Sequence, residues 1–495
     1  MPLTRNTDVH SRTWPVAVLV VAVAAVAVAA MMVGPVAAEV QDDAERWEVG
    51  DWTFTTASLG GRVGDAFTGA AIQRDGTIVL VGRISAGPLV QRARTLARGD
   101  AVVLLLSEDG RNVRAAALIG DDVRDVALDG QDNIYVALGR NGVARLDRQA
   151  RRVVWHHELD GLCARLDASP NGIIAALCYD NDDDSTPGAG RIHLFNAAGR
   201  KGGDFRGYRH TLDVAVDADS RTIVHTGWRQ DNAFDGNRTF PVQIAYMRGV
   251  GFNGEVKYLL YDWSTDRDDP RFLNRPTNNM ADTRGYRMAR GRDGKVYAGF
   301  EAAGGNHIFR WEPRLEDGDW VRADGKRHQG DHFFEWHNSR AEHKAFFGRY
   351  DPATGEYVRG QQFAGRLDSG RTNAVRMVGG ALAADEQGRL LAGGSAASGL
   401  PLEFTPPDSG DYTGGAYVLL LSPQMDDRPV MTRLDPGGRT KAADIRNVNG
   451  TSRIIVAGRI GGDSGEEPAF TPHRAIQDRG EGGSAFFAVL HENAD

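Results

Sequence analysis

Val123-Arg-Asp-Val-Ala-Leu-Asp-Gly-Gln-Asp-Asn-Ile-Tyr-Val-Ala-Leu-Gly139 reads as an alternating apolar strand, a tight Asp/Gly/Asn turn, a β-branched and aromatic strand, and a closing glycine. Two period-two apolar runs across such a turn signal a β-hairpin. The phrase recurs. Copies run Ala71 to Gly82, Leu212 to Gly227, Met288 to Gly299, Ala381 to Gly393 and Ile445 to Gly458, with a more divergent one from Cys163 to Cys178. The closing glycine suits a backbone that turns sharply or packs closely on its neighbour.

A weaker unit follows most copies, as in Ala101 to Arg114, Gly142 to Trp155 and Ala345 to Val358. Two hairpins per copy make four strands, the size of one propeller blade, and repeats of this period imply propellers or solenoids. A lone blade exposes apolar faces, so each needs neighbours on both sides. The expected fold is therefore all-β: a seven-bladed β-propeller of four-stranded antiparallel blades. The last copy ends at Ala485 to Leu490, five residues before Asp495, so its fourth strand is missing. Trp47 to Ala57 reads as a strand with nothing before it. The N-terminal strand should complete the final blade, with Trp52 to Thr56 beside Phe486 to Leu490, and mask its open edge.

These copies resemble bacterial exported β-propeller repeat proteins of the SBBP-like and delta-60-like types. Asp125 to Gly139 and Asp213 to Gly227 match the first pattern, and Gln73 to Gly82 matches the second. The resemblance implies the fold and an exported setting, and it carries over no active-site residue.

The 495 residues include 61 glycines, in keeping with many turns, and 41% hydrophobic residues are ample for a core. Net charge is −8 with acids and bases interspersed, so neither a nucleic-acid stripe nor an acidic tail is indicated. Arg5 and Arg12 precede an apolar run from Val16 to Val33, then Gly34-Pro35 and the small residues Val36 to Ala38. This is the pattern of an export signal. The run is also long enough to span a bilayer if it stays uncleaved. The expected division is residues 1–38 as signal peptide or membrane anchor and residues 39–495 as one propeller, with a long insertion at about 301–343. Localisation would be periplasmic, cell-surface or secreted.

The two cysteines, Cys163 and Cys178, stand equally far from Pro170-Asn171 on the arms of one hairpin. They should face each other across adjacent strands. In an oxidising compartment they would form a local disulfide; otherwise they are two small buried hydrophobes.

Surplus length falls mostly between the second and third strands of the blades. Examples are Arg83 to Gly99, Tyr179 to Gly190, Trp228 to Phe240, Glu301 to His343, Ser395 to Gly415 and Arg459 to Gly483. In an up-and-down blade these connections all emerge on one face, and insertions gathered on one face mark a binding surface. The fifth-blade insertion holds His328, His332, Glu335, Trp336, His337 and His343. Imidazoles and carboxylates at such spacing suit a transition metal, although the order fits no zincin pattern, and Phe333 and Phe334 argue equally for a packed lid. Asp180 to Ser185 begins like a calcium loop but lacks its glycine and its bidentate Glu. Asp231 to Arg238 is similar, and Asp262 to Asp269 reads as an ion-pair loop around Arg267. Trp228, Trp263, Trp311, Trp320 and Trp336 fall in or beside the insertions, either as stacking platforms or as packing for the loops themselves.

No nucleophile elbow and no phosphate-cradling loop is present. The catalytic residues are therefore unassigned, and the candidate binding-face residues are His332, Glu335, Trp336, His337, Trp228 and Asp231. No resident cofactor or metal is expected; an ion held by these loops would be calcium or zinc. The reading is an exported binding or scaffold protein that takes a protein, glycan or small ligand on one face, with no nucleic-acid partner and membrane contact only through residues 16–33. The rival is a hydrolase, lyase or metal-assisted oxidase working in the central funnel.

Overall fold

A computed structural model describes residues 47–49, 51–59, 65–85, 87–180, 188–235, 238–272, 281–304, 306–323, 328–330, 343–369, 372–400, 414–435, 438–459, 475–477 and 485–493. Among them, seven antiparallel sheets are arranged as the blades of a β-propeller. The inner strands are Ala66–Ile72, Asp125–Leu128, Leu162–Ala168, His210–Asp217, Thr283–Arg290, Val375–Ala384 and Arg439–Val448. The outer strands are Val113–Gly120, Val153–His157, Lys201–Arg206, Val256–Leu260, Tyr357–Phe363, Val430–Asp435 and, in blade seven, Trp52–Leu59. The expected closure is present: Trp52–Leu59 runs antiparallel to Ala485–Glu492, with Phe54 opposite Leu490 and Ser58 opposite Phe486.

Among the described residues the core consists of seven apolar clusters, one at each junction between neighbouring blades. Strand side chains alternate in direction, so each strand feeds two clusters. In Ala101–Leu106, Val102, Leu104 and Leu106 pack toward blade seven, whereas Ala101, Val103 and Leu105 pack toward blade two. A strand buried on both faces reads as an unbroken apolar run rather than an alternating one, and this run is buried throughout.

The repeat phrase has a local cause at each end. Its turn aspartate organises the hairpin: Asp129 accepts from the Gln131 and Asn133 N–H groups and, at 2.7 Å, from the Tyr135 hydroxyl. Asp385 does the same for Gln387 and Arg389. The closing glycine lies against the entry to the inner strand, where a Cβ on Gly82 would sit 2.2 Å from the Ala66 carbonyl and one on Gly458 2.0 Å from that of Arg439. No larger residue fits there.

Candidate functional site

The second-to-third-strand connections elaborate the fold in three ways, two on the face they share and one along the blade edges. In blade four the two middle strands lengthen to Thr222–Asp235 and Arg238–Gly251, which stay paired up to Asp235 and Arg238. Arg229 braces the base of this hairpin. It donates to Asp262 and, at 2.6 Å, to Asp231, while its second amino group reaches the Trp263 carbonyl at 2.8 Å. Arg271 grips the other oxygen of Asp262 at 2.6 Å and Asp269 at 2.6 Å. The arginine that organises the Asp262–Asp269 loop is thus Arg271. Its hydrogen bond lowers Asp269 to about 2. Burial pulls Asp231 upward, but the hydrogen bonds from Arg229 and from the Asn232 N–H outweigh it and hold the carboxyl below its ordinary value.

The blade-five insertion forms a short 3-10 turn, Ile308–Arg310, and a small hairpin, Trp311–Glu316 with Asp319–Arg322. Ile308, Phe309 and Trp320 join the blade-four/blade-five core with Tyr261 and Trp263. Its later strand, His328–Gly330, lies parallel to the outer strand of blade five. Blades one and seven do likewise: their insertions supply Arg94–Ala97 and Ala475–Gln477 as short parallel edge strands, and in blade seven Trp47–Val49 pairs antiparallel with the other end of the same edge. Part of the surplus length therefore covers blade edges and does not stand on the loop face.

His332, Glu335, Trp336 and His337 lie outside the described residues, as does most of the Asp180–Ser185 loop. Asp231 is one-third exposed on the blade-four hairpin. Trp228 is buried, its ring 4.0 Å from that of His210, and Trp263 and Trp320 are buried too. These three tryptophans pack the loops down. His343 places Nδ1 3.2 Å from Glu301, which also accepts from Arg376 at 3.0 Å and from the Met377 and Val378 N–H groups. Burial raises Glu301, yet His343, Arg376 and these N–H groups bring it below its ordinary value. The cluster joins blade five to blade six. Cys163 and Cys178 are cross-strand partners with their sulfurs 2.00 Å apart, a bonded pair.

The central channel is the feature that motif reading passed over. Its cavity of about 370 Å³ is lined by the inner strands and by the turns after them. Asp125, Arg165, Asp213 and Arg287 form a belt of alternating charge across blades two to five. Burial pushes Asp125 up to about 7 against the pull of Arg165, and Asp167 up to about 6 against the Val216 N–H and Arg290. Burial likewise lowers Arg287 to about 10. Each of these acids also works as a cross-link. Asp125 accepts the Leu166 N–H of blade three at 3.1 Å, and Asp167 accepts the Val216 N–H of blade four at 2.7 Å. Asp213 accepts the Met288 N–H of blade five at 3.0 Å, and Asp444 accepts the Ile72 N–H of blade one at 2.7 Å. Beneath the belt, Arg290 pairs with Asp217 at 3.0 Å. The signal was available, since Asp125 and Asp213 open two copies of the repeat phrase in otherwise apolar inner strands.

No protein-family model matches the chain, and no curated protein matches its sequence. In shape it is similar to U3-55K, with a TM-score of 0.47, 9% identity, and coverage of 88% of this chain and 98% of that one. It is similar to the RRP9 WD40 repeats at the same TM-score and identity, covering 88% of this chain and 97% of that one.

Proposed function

We propose that the chain is an exported, non-catalytic binding or scaffold protein whose ligand docks on the loop-bearing face. The observation that carries this reading is the bracing of that face. Arg229 and Arg271 clamp Asp262 from two sides, and the blade-five hairpin is anchored in the core by Ile308, Phe309 and Trp320. A surface fixed beforehand loses less conformational freedom when it binds. The channel supports the same reading, because its carboxylates hold main-chain N–H groups of the next blade. Export rests on Arg5, Arg12, the apolar run Val16 to Val33 and the small residues that follow. The partner is a protein, glycan or small ligand; a surface of net charge −8 with interspersed acids and bases does not suit nucleic acid.

An enzymatic reading has one observation in its favour: two channel carboxylates sit near neutrality, as acid–base catalysis requires.

A photo-crosslinker at Gln230 or Asn232, both exposed on the blade-four hairpin, tests the first reading in intact source cells. A specific adduct should form there and not from Asn171, on the turn of the opposite face. Adducts from both positions, or from neither, would refute it. A membrane-impermeant thiol reagent on Gln230→Cys reports export in the same cells, and loss of labelling would remove that part alone.

A further inference from the structure

The outer strand of a blade turns half of its main-chain N–H and C=O groups away from the ring, and such an edge is a template for another strand. In blades one, five and seven the chain covers this edge itself, each time with a short parallel strand from the second-to-third connection. In blade two that connection is only Leu138 to Gly142. It would have to cross two further strand spacings, about 10 Å, and return. It cannot cover its own edge. Among the described residues Val153–His157 pairs inward with Val143–Leu146 and has no strand on its other side.

The covered edges show how an open one is filled. In blade one a bulge at Arg114 precedes the engaged residues Ala117, Leu118 and Ile119. In blade five a bulge at Val358 precedes Gly360 to Gln362. Blade two carries the same irregularity at Val154, which places its equivalent stretch at His156 to Glu158.

The slot has walls. Arg94, on the covering strand of blade one, donates to the Arg151 carbonyl at 3.0 Å. On the other side Trp155 Nε1 donates to the Ala197 carbonyl of blade three at 3.1 Å, and His157 Nε2 is 2.7 Å from that of Gly199. At the upstream end Val153 and Val154 are 42% and 39% exposed. Beside them lie exposed Arg94, which bonds the Arg151 carbonyl, and the chain neighbours Arg151 and Arg152. Arg152 is 76% exposed, with Asp147 no nearer than 3.7 Å. That is a concentration of guanidinium groups on a chain of net charge −8. Two other open edges are blunted: in blade three Lys201, Asp204 and Arg206 interleave with Gly202 and Gly203, and in blade six Val430 to Leu434 are buried; blade four also exposes Val256, but beside Glu255 and a Lys257 already bonded to Ser220 and Thr222.

We propose that the edge of blade two docks an extended segment of another protein, which adds as a fifth strand parallel to Val153–His157. It pairs across His156 to Glu158 and carries Asp or Glu residues N-terminal to the paired stretch, where they meet Arg94, Arg151 and Arg152. Main-chain bonds supply the affinity, and charge-assisted bonds to the arginines select the partner. Nothing here depends on the loop-bearing face, so either surface can fail without the other.

The test is selection of a displayed random-peptide library on the full-length protein. Enriched peptides should place acidic residues just before a β-branched stretch. They should bind about tenfold more weakly, or worse, to Arg151→Glu combined with Arg152→Glu, and not to His156→Pro. Because His156→Pro can also loosen blade two, thermal melts of both variants are run alongside, and amide exchange is read with and without peptide. The amides of His156 to Glu158 should slow while those of Lys201 to Arg206 do not. No enrichment, undiminished binding to the charge-reversed protein, or protection elsewhere overturns the proposal. So does a dimer that these substitutions abolish, since that would put a second copy of the chain in the slot.

Discussion

Arg292 of blade five forks onto Asp444 of blade seven at 2.7 and 2.8 Å, reaching past the whole of blade six. Its own N–H donates to the Ala384 carbonyl of blade six at 3.1 Å, so one residue fastens three consecutive blades. Asp444 is 9% exposed and also holds Ile72 of blade one, which leaves it poorly placed to lose its cation. Arg292→Ala should destabilise the fold by about 3 kcal/mol. Arg292→Lys should recover little, because an ammonium cannot fork onto both oxygens. Urea denaturation checks both, and a wild-type midpoint for Arg292→Lys would show that the fork is dispensable.

The channel acids predict a pH dependence with a definite sign. Asp125 and Asp167 are raised by burial to about 7 and about 6, against about 3.9 in an unfolded chain. The folded state therefore binds their protons more tightly. Stability from this source is greatest below about pH 4 and is lost as pH rises through 6 to 7. Asp125→Asn keeps an oxygen for the Leu166 N–H but has nothing to titrate. Between about pH 5 and 8 the wild-type urea midpoint should fall more than that of the variant; parallel profiles would mean that Asp125 ionises normally.

Ring closure is open to direct attack. Phe54 is 2% exposed within the junction of blades six and seven. Phe54→Ala should cost about 3–4 kcal/mol. Removal of residues through Leu59 should go further and bare the Ala485–Glu492 edge, giving aggregation that light scattering detects. A truncated chain that stays monomeric, with an unchanged melt, would show that the strand contributes nothing.

The Cys163–Cys178 bond closes a loop of sequence separation 15, for which chain-entropy reasoning allows at most about 3 kcal/mol. Cys163→Ala with Cys178→Ala should lower the melting temperature by a few degrees and leave the fold unchanged. Two free thiols titrated in the denatured, unreduced protein would show that the bond is absent.

Much of the architecture was legible because each blade junction imposes the same demands. Asp129 and Tyr135 recur as Asp293 and Tyr297, and the closing glycine recurs because a Cβ would strike the inner strand's entry carbonyl at Gly82, Gly227 and Gly458 and a neighbouring side chain at Gly139 and Gly393. The Trp52–Leu59 pairing could be read because a strand without a partner and a sheet lacking one can only answer each other. The charged belt was harder to see. Asp125 and Arg165 belong to different copies and meet only once the ring forms, so no local spacing reports them. Insertion lengths misled in part, since length alone does not say whether a loop stands on the face or turns down the edge as Arg94–Ala97 does. Trp228 illustrates the same limit: its place beside an insertion gave no hint that His210 would cover it.

Thr53 Oγ1 donates to Asn493 Oδ1 at 2.6 Å, a contact between residues 440 positions apart. The seam of the ring thus joins an early segment to a late one, and six sheets can assemble in sequence before the seventh has all its material. A chain that ends before residue 490 should therefore present two unpaired blade faces, and closure between them is the expected slow step of folding.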